Sequence, residues 1–209
     1  MDILRRMFGR RPKDPYWDAF IHRPFTDPKN NVTLTMLDAP DGNVYPVKAD
    51  LADPVAQSGY IREFTAYFGA LLTAIVPWDP AYLRPTTSDS AADATQEDDE
   101  DPVEPLDRYS FAIVCAIPSP HDPDLARGIG GQHSIQRGAI LTFNLAAYIR
   151  ELGYQATTRP GDSTAVAIAG GLGELNKKGQ FVTKARDSRV YLTNLVLTDL
   201  PLAPDTPRS

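Results

Sequence analysis

The sequence predicts one domain that mixes α-helices and β-strands. Residues 55–68 and 134–152 place apolar side chains at helical spacing, which is typical of helices that pack one face on a core. Residues 71–76 and 109–117 are short apolar runs, each followed by a proline-containing stretch, as buried strands often are. Helices and strands alternate along the chain, so we expect both to build the same core.

The first long helix has clear start and stop signals. Asp53 can accept hydrogen bonds from the free N–H groups of the first turn, and Pro54 has no N–H to lose there. Gly69 supplies a C-terminal stop, and Gly153 does the same for the second long helix. The two helices are therefore predicted with their boundaries.

A β-hairpin is predicted before the first long helix. Residues 32–37 alternate polar and apolar side chains with a period of two, which favours a strand. Residues 38–43 (DAPDGN) are rich in turn formers, and residues 44–47 can return as the second strand. Pro46 lacks an N–H and would be confined to a sheet edge.

Composition indicates a globular protein with few options for metal chemistry. The chain has 209 residues, of which 42% are hydrophobic and 23% charged. Its single cysteine, Cys115, excludes an internal disulfide and a cysteine-ligated iron–sulfur or zinc site built from these residues alone. Cys115 lies within an apolar run, so we expect a small buried hydrophobe. His22, His121 and His133 do not have metal-ligand spacing, which argues against zinc.

Charge is distributed unevenly along the chain. Residues 85–105 contain eight acidic residues and no lysine or arginine, and we expect a disordered insertion there. Setting those eight charges aside from the net charge of −6 leaves +2 for the remainder. No basic patch interleaved with aromatic residues is present, so nucleic acid is not an expected partner. Residues 16–209 are predicted to form one domain that contains this insertion.

Residues 1–15 form a basic N-terminal arm. It holds Arg5, Arg6, Arg10, Arg11 and Lys13 around a few apolar residues. Such an arm can touch a partner or an anionic membrane surface, or it can be a frayed terminus. An export signal needs an apolar stretch after its arginines, and a glycine, arginine and proline-rich stretch follows instead. With no run of about 20 apolar residues either, we expect a cytoplasmic protein.

A glycine-rich stretch, residues 165–202, organises the C-terminal half. A run of small residues begins after Asp162 and Ser163, either of which could cap a helix. Gly170, Gly171 and Gly173 follow, and then come strand-like residues 181–182 and 190–197. One interpretation is a glycine helix stop followed by an edge strand.

The order of residues in this stretch supports a second interpretation. Residues 171–175 (GLGEL), Gly179, Arg189 and residues 198–202 (TDLPL) resemble the end of the corrinoid-binding core of reductive dehalogenases, to which epoxyqueuosine reductases are distantly related. Residues 61–80 and 147–156 are similar to other units of the same core, so the resemblance spans roughly residues 53–204. It implies a nitroreductase-like α+β sandwich with a mixed sheet, which the predicted hairpin would precede.

The resemblance also implies a binding site. In the family the corrinoid lies over a floor made partly by the glycine segment, which suits backbone that must approach a flat macrocycle closely. The candidate cofactor-binding residues are Gly170, Gly171, Leu172, Gly173, Glu174, Arg189 and Thr198. The family's proton-donating tyrosine has no counterpart before the second long helix, where His133 and Arg137 are the candidate catalytic substitutes.

Two functional hypotheses follow. In the first, the chain binds cobalamin and acts in redox chemistry or cofactor handling. As an enzyme it would be an oxidoreductase that needs a separate iron–sulfur or flavin electron donor, because it has no cluster-binding cysteines. In the second, it is a non-catalytic accessory or scaffold subunit that keeps the fold without the cofactor. Flavin is a further candidate ligand.

Overall fold

The computed structural model describes residues 15–51, 53–83, 106–119, 128–160, 163–183 and 190–205. The expected acidic insertion, residues 85–105, and residues 1–14 of the basic arm lie outside these ranges. The helices are α1 (Pro15–His22), α2 (Val32–Leu37), α3 (Pro54–Tyr67), α4 (His133–Glu151) and α5 (Thr164–Ala169). The strands are β1 (Leu72–Pro77), β2 (Phe111–Pro118), β3 (Ala156–Arg159), β4 (Gly173–Leu175), β5 (Phe181–Thr183), β6 (Val190–Leu192) and β7 (Leu195–Thr198).

The main sheet has the strand order β1-β2-β7-β3, and β6 pairs with the C-terminal end of β2. Every ladder between described strands is antiparallel, so the expected mixed sheet is wrong for this part of the chain. The physical reason is the position of β7. Helix α4 connects β2 to β3, which run in the same direction, but β7 lies between them and runs opposite to both. The α+β class is confirmed.

Strands β6 and β7 are two parts of one predicted strand, separated by a bulge. Leu192 pairs with Ala116, whereas Val196 pairs with Ile113, so the chain gains one residue relative to β2. The hydroxyl of Thr193 accepts the N–H of Cys115 at 3.1 Å. The bulge therefore leaves this ladder N–H with a side-chain partner.

The predicted N-terminal hairpin is wrong. Residues 32–37 form helix α2, whose first turn is capped by the side chain of Asn31 accepting the N–H of Thr33 at 3.1 Å. A six-residue alternation is short, and here the cap and packing against α4 decide the conformation. Residues 44–47 are not a strand, and the N–H of Tyr45 donates to the carbonyl of Arg150 at the end of α4.

The long helices begin and end where the sequence predicts. The carboxylate of Asp53 accepts the N–H groups of Val55 and Ala56 at 2.8 and 3.3 Å. Gly69 and Gly153 follow the two helices with φ of +92° and +84°, a conformation that favours glycine.

The main sheet is covered on both faces. Helices α3 and α4 cover one face over large side chains that include Ile75, Ile113 and Val196. Helix α5 covers the other, where Ala74, Ala112, Leu195 and other buried residues form a second core cluster. Among the described residues, no helix is both long and apolar enough to cross a lipid bilayer.

Candidate functional site

The glycine segment begins as a helix stop. Helix α5 ends at Ala169, and Gly171 follows with φ of +72°. The N–H of Gly171 donates to the carbonyl of Ile168 and the N–H of Leu172 to that of Ala167, both at 2.9 Å. These two bonds form a Schellman motif, which satisfies the last carbonyls of the helix and needs a left-handed residue. Gly171 is therefore required by the helix end itself.

Gly170 brings α5 close to the sheet. A Cβ atom at this position would overlap the Cβ of Ala74 and lie 3.3 Å from Cγ1 of Val76. Both neighbours belong to β1. Glycine here sets the distance between the helix end and the strand, so any added side chain would push the two apart.

Gly173 lies in the small two-stranded sheet of β4 and β5. It pairs with Thr183, and a Cβ atom added to it would overlap the carbonyl oxygen of Val182 and lie 2.8 Å from Cζ of Phe181. The space that the missing side chain leaves is filled by the neighbouring strand. Gly173 is thus explained by close strand packing.

The other segment residues divide between core and solvent. Leu172 is buried in the core cluster beneath α5, with only 6% of its surface exposed. Glu174 is exposed and lies opposite Val182 in the register of β4 and β5. Among the candidate residues of the segment, Gly171 and Glu174 are exposed, whereas Gly170 and Gly173 are partly exposed.

Thr198 lies away from the hairpin of β4 and β5. Its buried hydroxyl donates to the carbonyl of Gln155 at 2.7 Å and accepts the N–H of Leu200 at 3.0 Å, so it fastens the turn after β7. Thr198 pairs with Phe111 at one end of β2, whereas β6, which β5 contacts, pairs with the opposite end near Pro118. Phe111 and Pro118 are seven residue steps apart along the strand, about 23 Å at 3.3 Å per residue.

Arg189 and His121 lie outside the described residues. The former immediately precedes Val190, which pairs with Pro118 at the C-terminal end of β2. Whether Arg189 approaches the glycine segment therefore remains a prediction from the sequence.

His133 and Arg137 belong to the opposite face of the sheet. His133 begins α4 with an exposed side chain, next to Ser134, whose hydroxyl donates to the carbonyl of Pro118 at 3.1 Å. Arg137 lies against Gly69, where an added Cβ would be 2.9 Å from its Cζ atom. A cation at this position faces the C-terminal end of α3, which carries partial negative charge. The structure does not bring these two residues to the glycine segment.

Sequence reasoning did not single out the half-buried Tyr191, and it gave the buried Ser163 a different role. Ser163 was one of two candidate caps of α5, but its hydroxyl instead donates to the carbonyl of Thr193 at 2.6 Å and connects the helix start to the bulge. Tyr191 lies with its ring against Gly138 of α4, and burial raises the pKa of its phenol. The only local signal that the Tyr191 ring packs under α4 is the alternation of the strand: Val190 and Leu192 pack on the other face of the sheet.

Cys115 is buried, as predicted. Burial raises the pKa of its thiol from 9.0 to about 12, although hydrogen bonds with Thr73, Thr65 and Thr193 lower it in part. The thiol is therefore protonated at neutral pH. In the part of the chain that the structure describes, no three His, Cys, Asp or Glu side chains form a group that could hold a metal ion.

Solved structures of reductive dehalogenases match this arrangement of helices and strands. The catabolic reductive dehalogenase NpRdhA matches with a TM-score of 0.62 and 20% identity, over 85% of this chain and 24% of its own. A reductive dehalogenase associated with B12-dependent dehalogenation matches with a TM-score of 0.61 and 23% identity, over the same shares. The chain has the fold of a part of the reductive dehalogenases. It spans about a quarter of their length.

The reductive-dehalogenase likeness establishes the fold, and the resemblance read from the sequence is confirmed at that level. An epoxyqueuosine reductase from Bacillus subtilis matches with a TM-score of 0.47 and 14% identity, over 74% of this chain and 48% of its own, which is too distant to carry an argument. No protein-family model and no curated protein matches the sequence.

Proposed function

We propose that this chain is a cytoplasmic protein that binds a cobalamin-type corrinoid beside its glycine segment. It would act in redox chemistry or in handling the cofactor, together with a separate electron donor. The observation that carries the proposal is the reductive-dehalogenase fold, shared over 85% of the chain at a TM-score of 0.62. The residue order of the glycine segment supports the same ligand.

The exposed part of the segment is where the ligand fits. Gly171 presents backbone without a side chain, so a flat ring system can approach it. Glu174 beside it can accept hydrogen bonds from amide groups at the edge of such a ligand. Gly170 and Gly173 leave no open space, because β1 and β5 fill it. The fit therefore rests on Gly171 and Glu174.

A bound corrinoid would supply the redox-active cobalt, and the chain would supply binding and orientation. Electrons would come from a separate protein, since a cluster held by cysteines needs more thiolates than the single Cys115 of this chain. His133 and Arg137 lie on the other face of the sheet, so we assign neither a role at the glycine segment.

The second candidate is a scaffold subunit that keeps the fold without a cofactor. A specific observation favours it: Gly170, Gly171 and Gly173 each have a structural reason within the chain. Under this hypothesis the glycine order reflects packing of α5, β4 and β5. Flavin binding at the same surface is a third outcome that the same experiment detects.

A titration with hydroxocobalamin, followed by absorbance and by calorimetry, tests the proposal, with flavin mononucleotide titrated in parallel. The informative variant is Gly171→Asn, because asparagine tolerates the left-handed conformation while adding a side chain to the exposed surface. Gly179→Asn is the matched control: Gly179 has φ of +71° and no atom within 4 Å of an added Cβ.

We expect cobalamin to bind the wild type and the Gly179→Asn variant, and to bind Gly171→Asn at least about tenfold more weakly, roughly the loss of one good contact. Equal weakening in both variants would place the ligand elsewhere. Absence of binding at tens of micromolar ligand, with both variants folded, would leave the scaffold hypothesis standing.

A further inference from the structure

Strand β1 forms one edge of the main sheet, and its outer side carries backbone groups that β2 does not use. Just beyond β1, the N–H of Trp78 donates to the carbonyl of Ser110, in register with the ladder between β1 and β2. Alternate residues of an antiparallel ladder direct their backbone groups to opposite sides, so those of Thr73, Ile75 and Pro77 face outward. An unpaired row of such groups is a template for pairing with a strand of another chain.

Asp205, near the C-terminus, covers the middle of this outer edge. Its N–H donates to the carbonyl of Ile75 at 2.7 Å, and its carboxylate accepts the N–H of Ile75 at 2.8 Å. The other carboxylate oxygen accepts a hydrogen bond from Nη2 of Arg62 on α3, also at 2.8 Å. Pro77 has no N–H. Among the described residues, Thr73 is then the outward residue of β1 that keeps both an N–H and a carbonyl for an incoming strand.

The covering segment, residues 203–205, does not present a new edge of its own. The N–H of Ala203 donates to the buried hydroxyl of Ser58 on α3 at 2.8 Å. Pro204 has no N–H, and the N–H of Asp205 is used on β1. Each of the three residues therefore lacks a free N–H, so the segment covers β1 without offering a ladder to a further strand.

The opposite edge of the sheet, β3, is covered by the same two means. By its register with β7, the backbone groups of Ala156, Thr158 and Pro160 face outward. Nη1 of Arg150 donates to the carbonyl of Ala156 at 2.9 Å, and Pro160 has no N–H. Each edge thus has a charged side chain bonded to one outward residue and a proline at another. Natural sheets use both features to prevent pairing between edges.

We infer that residues 203–205 are an edge guard, a conformational device that keeps β1 from pairing with an extended segment of another chain. Its main element is the Asp205 carboxylate. Without that carboxylate, the N–H of Ile75 becomes available beside that of Thr73, and two successive outward residues can pair with an incoming strand. This role concerns the sheet edge, so it holds with or without a bound cofactor.

Asp199 provides a matched control, because it makes the same kinds of contact at an interior position. Its carboxylate accepts the N–H of Gln155 at 2.6 Å and lies 3.1 Å from Nζ of Lys48. Its N–H donates to the carbonyl of Gln155 at 3.3 Å. Gln155 directs these groups to the inner side of β3, so loss of the Asp199 carboxylate removes contacts without opening an edge.

Sedimentation velocity over roughly 1 to 100 µM protein tests the edge guard, a range that detects weak association. We expect Asp205→Ala to associate increasingly with concentration, beyond any association of the wild type. Asp199→Ala should gain no association, and neither should Asp205→Asn, whose amide oxygen can still accept the N–H of Ile75. Thermal unfolding verifies that each variant is folded. A folded Asp205→Ala that stays like the wild type would overturn the inference, as would equal association of Asp199→Ala or Asp205→Asn.

Amide hydrogen exchange identifies the surface that associates. In the wild type, the N–H of Ile75 should exchange at least about tenfold more slowly than that of Thr73, although both face outward. In dilute Asp205→Ala, Ile75 should lose this protection. At high concentration both N–H groups should become protected, because an added strand would bond them. Association that leaves the exchange of both residues unchanged would mean that another surface is responsible, and would contradict the edge guard.

Discussion

The helices on the two faces of the main sheet make their tightest contacts with it in different ways. Under α3 and α4, large side chains such as Ile113, Leu145 and Ile149 fill the space between helix and sheet. Under α5, the core also contains large side chains such as Leu195, but at the helix end the contact is made by Ala74 of β1 against Gly170. The distance between a helix and its support follows from the side chains between them, so α5 lies closer to its strands at this point.

This difference separates a structural glycine from a ligand-binding one. On the α5 side, glycine is what allows close approach, so its presence alone does not indicate a cofactor. On the α3 side, Gly59 approaches nothing within its own chain. Gly170 and Gly173 are therefore explained by packing within the chain, whereas exposed Gly171 remains accessible to a ligand.

The largest expected effect is loss of a core side chain on the α4 side. Leu145→Ala should lower the free energy of unfolding by about 3 kcal/mol, because Leu145 is fully buried and the site cannot collapse completely. Leu175→Ala makes the same change at an exposed position of β4 and should cost less than about 0.5 kcal/mol. Urea unfolding measures both. Similar losses would mean that the hairpin of β4 and β5 is as firmly packed as the helical side.

A smaller effect is expected from adding a group on the α5 side. Gly170→Ala should lower the free energy of unfolding by about 2 kcal/mol, since the new Cβ overlaps that of Ala74. Ala74→Gly removes the clashing atom, so the double variant should lose less than the sum of the two single losses. The four proteins form a double-mutant cycle measured by urea unfolding. Strict additivity would contradict the close approach of α5 to β1.

The long helices could be predicted because their signals are local. Asp53 caps α3 through N–H groups two and three residues away, and Gly69 and Gly153 follow directly after the helical residues. Their apolar periodicity also extends over 14 and 19 residues, so a few residues that break the pattern do not obscure it. Residues 32–37 offered six residues of strand-like alternation, and the cap at Asn31 together with packing on α4 outweighed it.

The glycine segment could be located from the sequence, but the reasons for its glycines could not. Gly170 is required by its close contact with Ala74, which lies almost a hundred residues away in the sequence. No local sequence pattern indicates that contact. The left-handed conformation of Gly171 could have been predicted, since a glycine after a short helix commonly adopts it. The reductive-dehalogenase resemblance predicted the fold correctly. The separation of His133 and Arg137 from the glycine segment could not be predicted, because it depends on which face of the sheet each helix covers.

The smallest effect concerns Cys115, which lies on the α3 and α4 side within reach of Thr73, with 3.6 Å between its sulfur and the Thr73 hydroxyl. Burial raises the pKa of its thiol from 9.0 to about 12. Above pH 9 the unfolded thiol loses its proton while the folded one keeps it, so folding stability declines as pH rises towards 12. At pH 10 this contributes a loss of about 1.4 kcal/mol relative to neutral pH. Tyr191, whose phenol pKa is also raised by burial, adds in the same direction.

Cys115→Ala isolates the thiol. The substitution costs some stability at every pH through lost packing, so the measured quantity is the slope of unfolding free energy between pH 8 and pH 10.5, roughly the range in which an unfolded thiol titrates. We expect a shallower decline in the variant than in the wild type, because the contribution of Tyr191 is the same in both proteins. A thiol reagent should modify Cys115 only under unfolding conditions. Parallel slopes, or rapid modification of the native protein, would show that water reaches the sulfur and that the α3 and α4 side opens more readily than its packing indicates.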